Sequence, residues 1–141
     1  MSSSPRWLAA VGGSLLAHAA LIAAAIAWVA IYSYLIAPDK DVSAYQAHAR
    51  QSGPWVSLVV GMPLFYFLCR WIGRQAPARA RATIWALLAI YLALDLTLLV
   101  ALARGELPMM MIVANYLAKV MAGLAGARAA TATVAAANPD A

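Results

Sequence analysis

The stretch IWALLAIYLALDLTLLVAL, residues 84–102, decides the fold. A ~30 Å hydrocarbon core takes ~20 helical residues at 1.5 Å rise each, and this run is of that length. Apolar and polar residues do not alternate in it, so it lacks the strand pattern of a membrane β-barrel. Leu and Ala, both good helix formers, fill most of it. Lipid offers no water to backbone N–H and C=O groups, so such a segment bonds within itself as an α-helix. One acid, Asp95, breaks its apolar character.

Three further apolar runs flank it. The 141-residue chain is 65% hydrophobic and 11% charged, whereas a soluble domain is about half apolar and about a quarter charged. The spans read as residues 7–37, 54–72, 82–103 and 108–127. The expected fold is an all-α integral membrane protein, a four-transmembrane-helix bundle. Residues 1–128 form its single transmembrane domain. Residues 129–141 form an Ala/Thr-rich tail, helical at its start and disordered at its end.

The first span is longer than the bilayer core, so it should tilt or project beyond the headgroups. Trp7 near its start and Tyr32 and Tyr34 near its finish suit the two interfaces. Residues 1–6 make a basic leader and Ala17-His18-Ala19 resembles a signal cleavage site, but the apolar run continues past Ala19, beyond the length of a signal h-region. Pro38 and Asp39-Lys40-Asp41 stop the span. In the loop 38–53, Val42, Tyr45 and Ala49 fall at helical spacing, as in a short interfacial helix. Ser52-Gly53-Pro54 reads as a break, with Pro54 in the first turn of the second span, where its missing N–H does no harm. Pro63 lies inside that span and should bend it. Arg104-Gly105-Glu106 reads as a tight turn and Pro108 as the opening of the fourth span.

Charge sets the orientation. Arg6, Arg70, Arg74, Arg79, Arg81 and Arg128 fall on one side; Lys40, Arg50 and Arg104, with Asp39, Asp41 and Glu106, fall on the other. Short cytoplasmic loops carry the excess of Lys and Arg, so both termini should be cytoplasmic. The basic residues sit at the ends of apolar runs, which makes the lipid bilayer, with its anionic headgroups, the expected partner and not nucleic acid. An Ala/Arg-rich composition without transit or lipidation signals fits a bacterial inner membrane, multi-pass. Cys69, the one cysteine, permits no internal disulfide or cysteine metal cluster and reads as a small apolar filler.

Small residues let helices approach closely in lipid. Ala114, Ala118, Ala122 and Gly126 make such a ridge on the fourth span. Ala9, Gly13 and Ala17, and also Ala19, Ala23 and Ala27, offer ridges on the first. They serve either contacts within the bundle or a homo-oligomer or larger membrane complex. The short loops between spans 2, 3 and 4 should make those helices antiparallel neighbours.

The polar residues within the spans are the candidate site: Asp95, Lys119, Asn115, Tyr91 and His18. By helix rise, Asp95 lies ~12 Å and Lys119 ~16 Å from the same end of their spans. Asn115 precedes Lys119 by one turn and Tyr91 precedes Asp95 by one turn, each on a shared face. His18 shares a face with Ser14 at comparable depth. A lone Asp or Lys near the bilayer centre costs ~2.5–3.5 kcal/mol on insertion scales, so Asp95 and Lys119 are expected to pair or to exchange a proton. The pair reads either as a structural clamp on the last two helices or as a titratable element in a proton or solute path. Bis-histidine haem would need a second histidine in a span, and His48 falls in a loop, so no cofactor or metal is expected. No nucleotide-binding glycine loop, HExxH or Ser/His/Asp set is evident, and a membrane enzyme is the third reading. The first is a transport-related component for a proton or small solute. The second is a non-catalytic accessory or assembly subunit of a membrane complex.

Overall fold

The computed structural model describes residues 4–102 and 109–137. Helix α1 spans Trp7–Ile31 and passes directly into a π-helical turn, Tyr32–Ile36. Helix α2 spans Val42–Gln75, and a 3₁₀ turn, Pro77–Arg79, leads into α3, Ala80–Leu102. Helix α4 spans Met109–Ala137. All four are long and apolar enough to cross a membrane. Large apolar side chains, among them Leu8, Ile26, Phe67 and Met110, point outward, as they do when the surrounding solvent is lipid.

One boundary differs from expectation. The break at Ser52-Gly53-Pro54 does not form; the short helix expected near Tyr45 and the second span are one continuous helix, with Pro54 and Pro63 both inside it. The Ser52 hydroxyl folds back to donate to the His48 carbonyl at 2.7 Å, staying within the helix and not capping a new one. The helical start expected of the tail is part of α4, which continues past residue 128 to Ala137. The turn expected at residues 104–106, Pro108 and the last residues of the tail lie outside the described residues.

The corner between α1 and α2 is built by side chains. Asp39 adopts φ 65°, a left-handed conformation that Asp tolerates better than most residues. The Tyr45 hydroxyl donates to the Ala37 carbonyl at 3.0 Å and accepts the Lys40 N–H at 3.1 Å, which satisfies backbone groups freed where the helix ends. Tyr32 stacks on His48 with ring centroids 3.5 Å apart, and Trp28 and Tyr45 flank the stack.

The chain runs up, down, up, down. The most extensive packing joins helices that are not consecutive in sequence: α2 with α4, and α1 with α3. These pairs are parallel. Gly61, Cys69 and Gly73 of α2 meet Lys119, Gly123 and Ala130 of α4 in rising order. In the same way the Thr83 hydroxyl accepts the Arg6 N–H at 3.0 Å, and Gly13 faces Leu87 further along. The expected α2–α3 and α3–α4 neighbours do touch, but over less surface. Glycine explains the tight α2–α4 seam: a Cβ at Gly126 would run into the Tyr66 carbonyl, so the two backbones are nearly in contact there. Gly126 therefore packs against α2, and Gly13 and Ala17 are buried as well, whereas Ala19, Ala23 and Ala27 face outward.

Around this seam Phe65, Leu68, Cys69 and Ile72 of α2 meet Ile84, Leu87 and Leu88 of α3 and Ala10 and Ala17 of α1. Cys69 is fully buried among them, as a small filler should be. Arg6, Arg70, Arg74, Arg79 and Arg81 sit at this end. Arg6 Nη1 donates to Gln75 Oε1 at 3.5 Å, and the Arg70 backbone lies beside Gly126.

Candidate functional site

Toward the opposite end the core becomes polar. Lys119 is 1% exposed. Its aliphatic chain lies over Gly61, where a Cβ would come within 2.7 Å of Lys119 Cε, so the glycine opens the path for the side chain. Nζ donates to Ser57 Oγ and to Tyr91 Oη, each at 2.8 Å. It lies 5.1 Å from the centroid of the Tyr91 ring and 6.0 Å from that of Tyr116, distances at which an aromatic face attracts a cation. Lys119 is thus held by two neutral hydroxyls and two aromatic rings.

The expected direct contact between Asp95 and Lys119 is not made. The one ion pair within 4.0 Å among the described residues joins Asp95 Oδ1 to His18 Nε2, at 3.7 Å. The geometry gives the reason. Lys119 enters through the α2–α4 seam, whereas Asp95 sits where α3 faces α1. Tyr91 stands between them. Its hydroxyl accepts from Lys119, and its ring packs on the His18 ring with centroids 4.4 Å apart and on Phe65 at 4.7 Å. The Asp95 carboxylate still acts electrostatically on Lys119, Tyr91 and Tyr116.

His18 carries definite hydrogen-bond information. Its Nδ1 lies 3.0 Å from the Ser14 carbonyl. A carbonyl only accepts, so Nδ1 holds a proton. In the neutral ring, Nε2 then offers a lone pair to a carboxylate. The contact between Nε2 and Asp95 is repulsive when both are unprotonated and attractive once one proton is added to either. Side-chain exposures of 13% for His18 and 33% for Asp95 put this pair at the boundary between core and cavity. That cavity measures about 200 Å³ and opens between α1, α2 and α3. His18, Asp95, Tyr91 and Ser57 line its polar side, with Leu21 and Leu98 on its apolar side. Gly53 also lines it, and a Cβ there would meet nothing within 4 Å.

Of the residues singled out in the sequence, His18, Tyr91, Asp95 and Lys119 come together. Asn115 makes no hydrogen bond to them: its Oδ1 is buried without a partner. His48 lies on α2 against Tyr32, apart from His18, which packs on Tyr91. Ser57 and Tyr116 were not anticipated. Ser57 is the only serine or threonine in residues 54–72, a polar residue set in an apolar run; that was its signal. Tyr116 carries no signal beyond standing three residues before Lys119. No family model, curated protein or solved structure matches this chain.

Proposed function

We propose that the protein is a transport-related component of a bacterial inner membrane that binds and releases a proton within the bilayer, with His18 and Asp95 as the exchanging pair. The observation that carries this reading is the His18–Asp95 contact, whose sign changes on uptake of one proton, facing a cavity and backed by an uncompensated ammonium. Charged groups at this depth are costly and are characteristic of ion and proton paths. The groups facing the pair come from every helix: Ser57 from α2, Tyr91 from α3, and Lys119 and Tyr116 from α4. Lys119 supplies positive charge near the pair without closing a direct ion pair with Asp95. Tyr91 connects the two halves by hydrogen bond on one side and ring contact on the other. The arginine end lies in the cytoplasm, and with it both ends of the chain, following the bias of basic residues.

The test is proton flux into proteoliposomes under an imposed pH gradient, read with an entrapped dye. Asp95→Asn keeps the shape and removes the titration; it should abolish flux while leaving helix content and detergent solution behaviour intact. Flux equal to that of the unmodified protein would overturn the proposal. Absence of flux from the unmodified protein, combined with its co-purification in a larger complex, would favour an accessory subunit.

A further inference from the structure

We propose that the arginine end of the bundle binds the phosphate of an anionic phospholipid on Arg70 and Arg74, with one acyl chain laid between α1 and α2. Arg70 and Arg74 are four residues apart on α2, so their side chains rise from one face. With Phe67, Trp71 and Gln75 they line a groove of about 580 Å³. The Arg70 Nε–H is buried without a hydrogen-bond partner. A buried cationic donor left unpaired is costly, and a phosphate oxygen is its natural complement because the guanidinium fork matches that geometry. No carboxylate among the described residues lies within 4.0 Å of either arginine.

A second groove supplies the tail. It measures about 400 Å³ and begins at Arg6 and Gln75. It runs inward between Leu8, Gly12 and Leu16 of α1 and Leu68 of α2. Trp71 and Gln75 line both grooves, so headgroup and chain sites are continuous. Trp71 is 59% exposed, at the helix end where an indole marks the headgroup level. Gly12 keeps the second groove open, since a Cβ there would meet nothing within 4 Å. A free phosphate ion would satisfy the arginines as well, but it would have no use for this apolar continuation.

Native mass spectrometry of the full chain, released from nanodiscs of equal phosphatidylglycerol and phosphatidylcholine, tests the assignment. Phosphatidylglycerol should be retained over phosphatidylcholine by about 25-fold, from roughly fivefold for each of two arginines near the surface. Arg74→Gln, at an exposed position, should remove about fivefold of that preference, and Arg70→Lys should weaken retention despite keeping the charge. Gly12→Phe should lower retention by blocking the chain, with the arginines untouched. Arg79→Gln and Arg81→Gln, at the same end but outside both grooves, should leave it unchanged. Equal retention of both lipids, or equal losses from Arg79→Gln and Arg74→Gln, would show only diffuse surface charge and overturn the site. Inorganic phosphate displacing the lipid at millimolar concentration, or retention indifferent to Gly12→Phe, would overturn the lipid as occupant.

Discussion

The two halves of this bundle solve opposite problems with the same helices. At the arginine end, Gly13, Cys69, Gly73, Gly123 and Gly126 let α1 through α4 close until side chains and backbone touch. At the other end, Gly61 and Gly53 leave room that is filled by a lysine in one case and by open volume in the other. Buried polar atoms without partners occur in both halves, at Arg70 in the first and at Asn115, His48 and His18 in the second. The first half supplies cohesion by contact. The second gives up cohesion to hold a buried lysine and the His18–Asp95 contact. Glycine at a helix seam has no single meaning; what faces it decides whether it tightens or opens the structure.

The sharpest way to break this contrast is to add bulk on the tight side. Gly126→Val would drive a branched side chain into the Tyr66 carbonyl. Backbone cannot yield there as a side-chain end can, so the cost should reach ~3 kcal/mol or more. Unfolding in mixed micelles would measure it, and a change under 1 kcal/mol would mean that α2 and α4 are not in close contact.

A double-mutant cycle probes the polar side with a smaller expected effect. Tyr91→Phe and Lys119→Met remove the two ends of one buried hydrogen bond and should couple by ~1–2 kcal/mol. Asp95→Asn with Lys119→Met should couple by less than that, because the two groups interact through space with no direct bond between them. Reversal of that order would restore the simple ion pair that the sequence suggests.

The smallest expected effect lies at the cavity. Gly53→Ala should stabilise α2 by ~0.5–1 kcal/mol, the usual gain from alanine in a helix interior, since its methyl group meets no obstacle. The same methyl narrows the cavity beside His18 and Asp95, so proton flux should fall while stability rises. Opposite signs in the two measurements would confirm that the volume is there for function; parallel changes would count against it.

Much of this was legible in the sequence. Four spans follow from apolar length alone, and His18, Tyr91, Asp95 and Lys119 stand out because charge and hydrogen-bonding groups in lipid are rare enough to attract one another. Two things were not legible. Ser52-Gly53-Pro54 has the composition of a turn, but bilayer helices tolerate proline and glycine that would end a helix in water. The α2 partner of Lys119, Ser57, was hidden because adjacency in sequence pointed only to α3, which supplies Tyr91. The small residues that choose the real partner, Gly61 on one helix and Gly126 on the other, form no contiguous motif. Nor do the residues that surround Asp95 reveal by spacing which helix they will face.

The parallel pairing of α2 with α4 also bears on how the molecule is made. A ribosome delivers α2 long before α4, so the surface around Gly61 and Tyr66 enters the membrane without its counterpart. Both acceptors of Lys119, Ser57 on α2 and Tyr91 on α3, are made before it. Lys119 then arrives last, and its ammonium finds acceptors in place when the fourth helix leaves the translocon. Burial of the Lys119 charge therefore waits on the synthesis of α4.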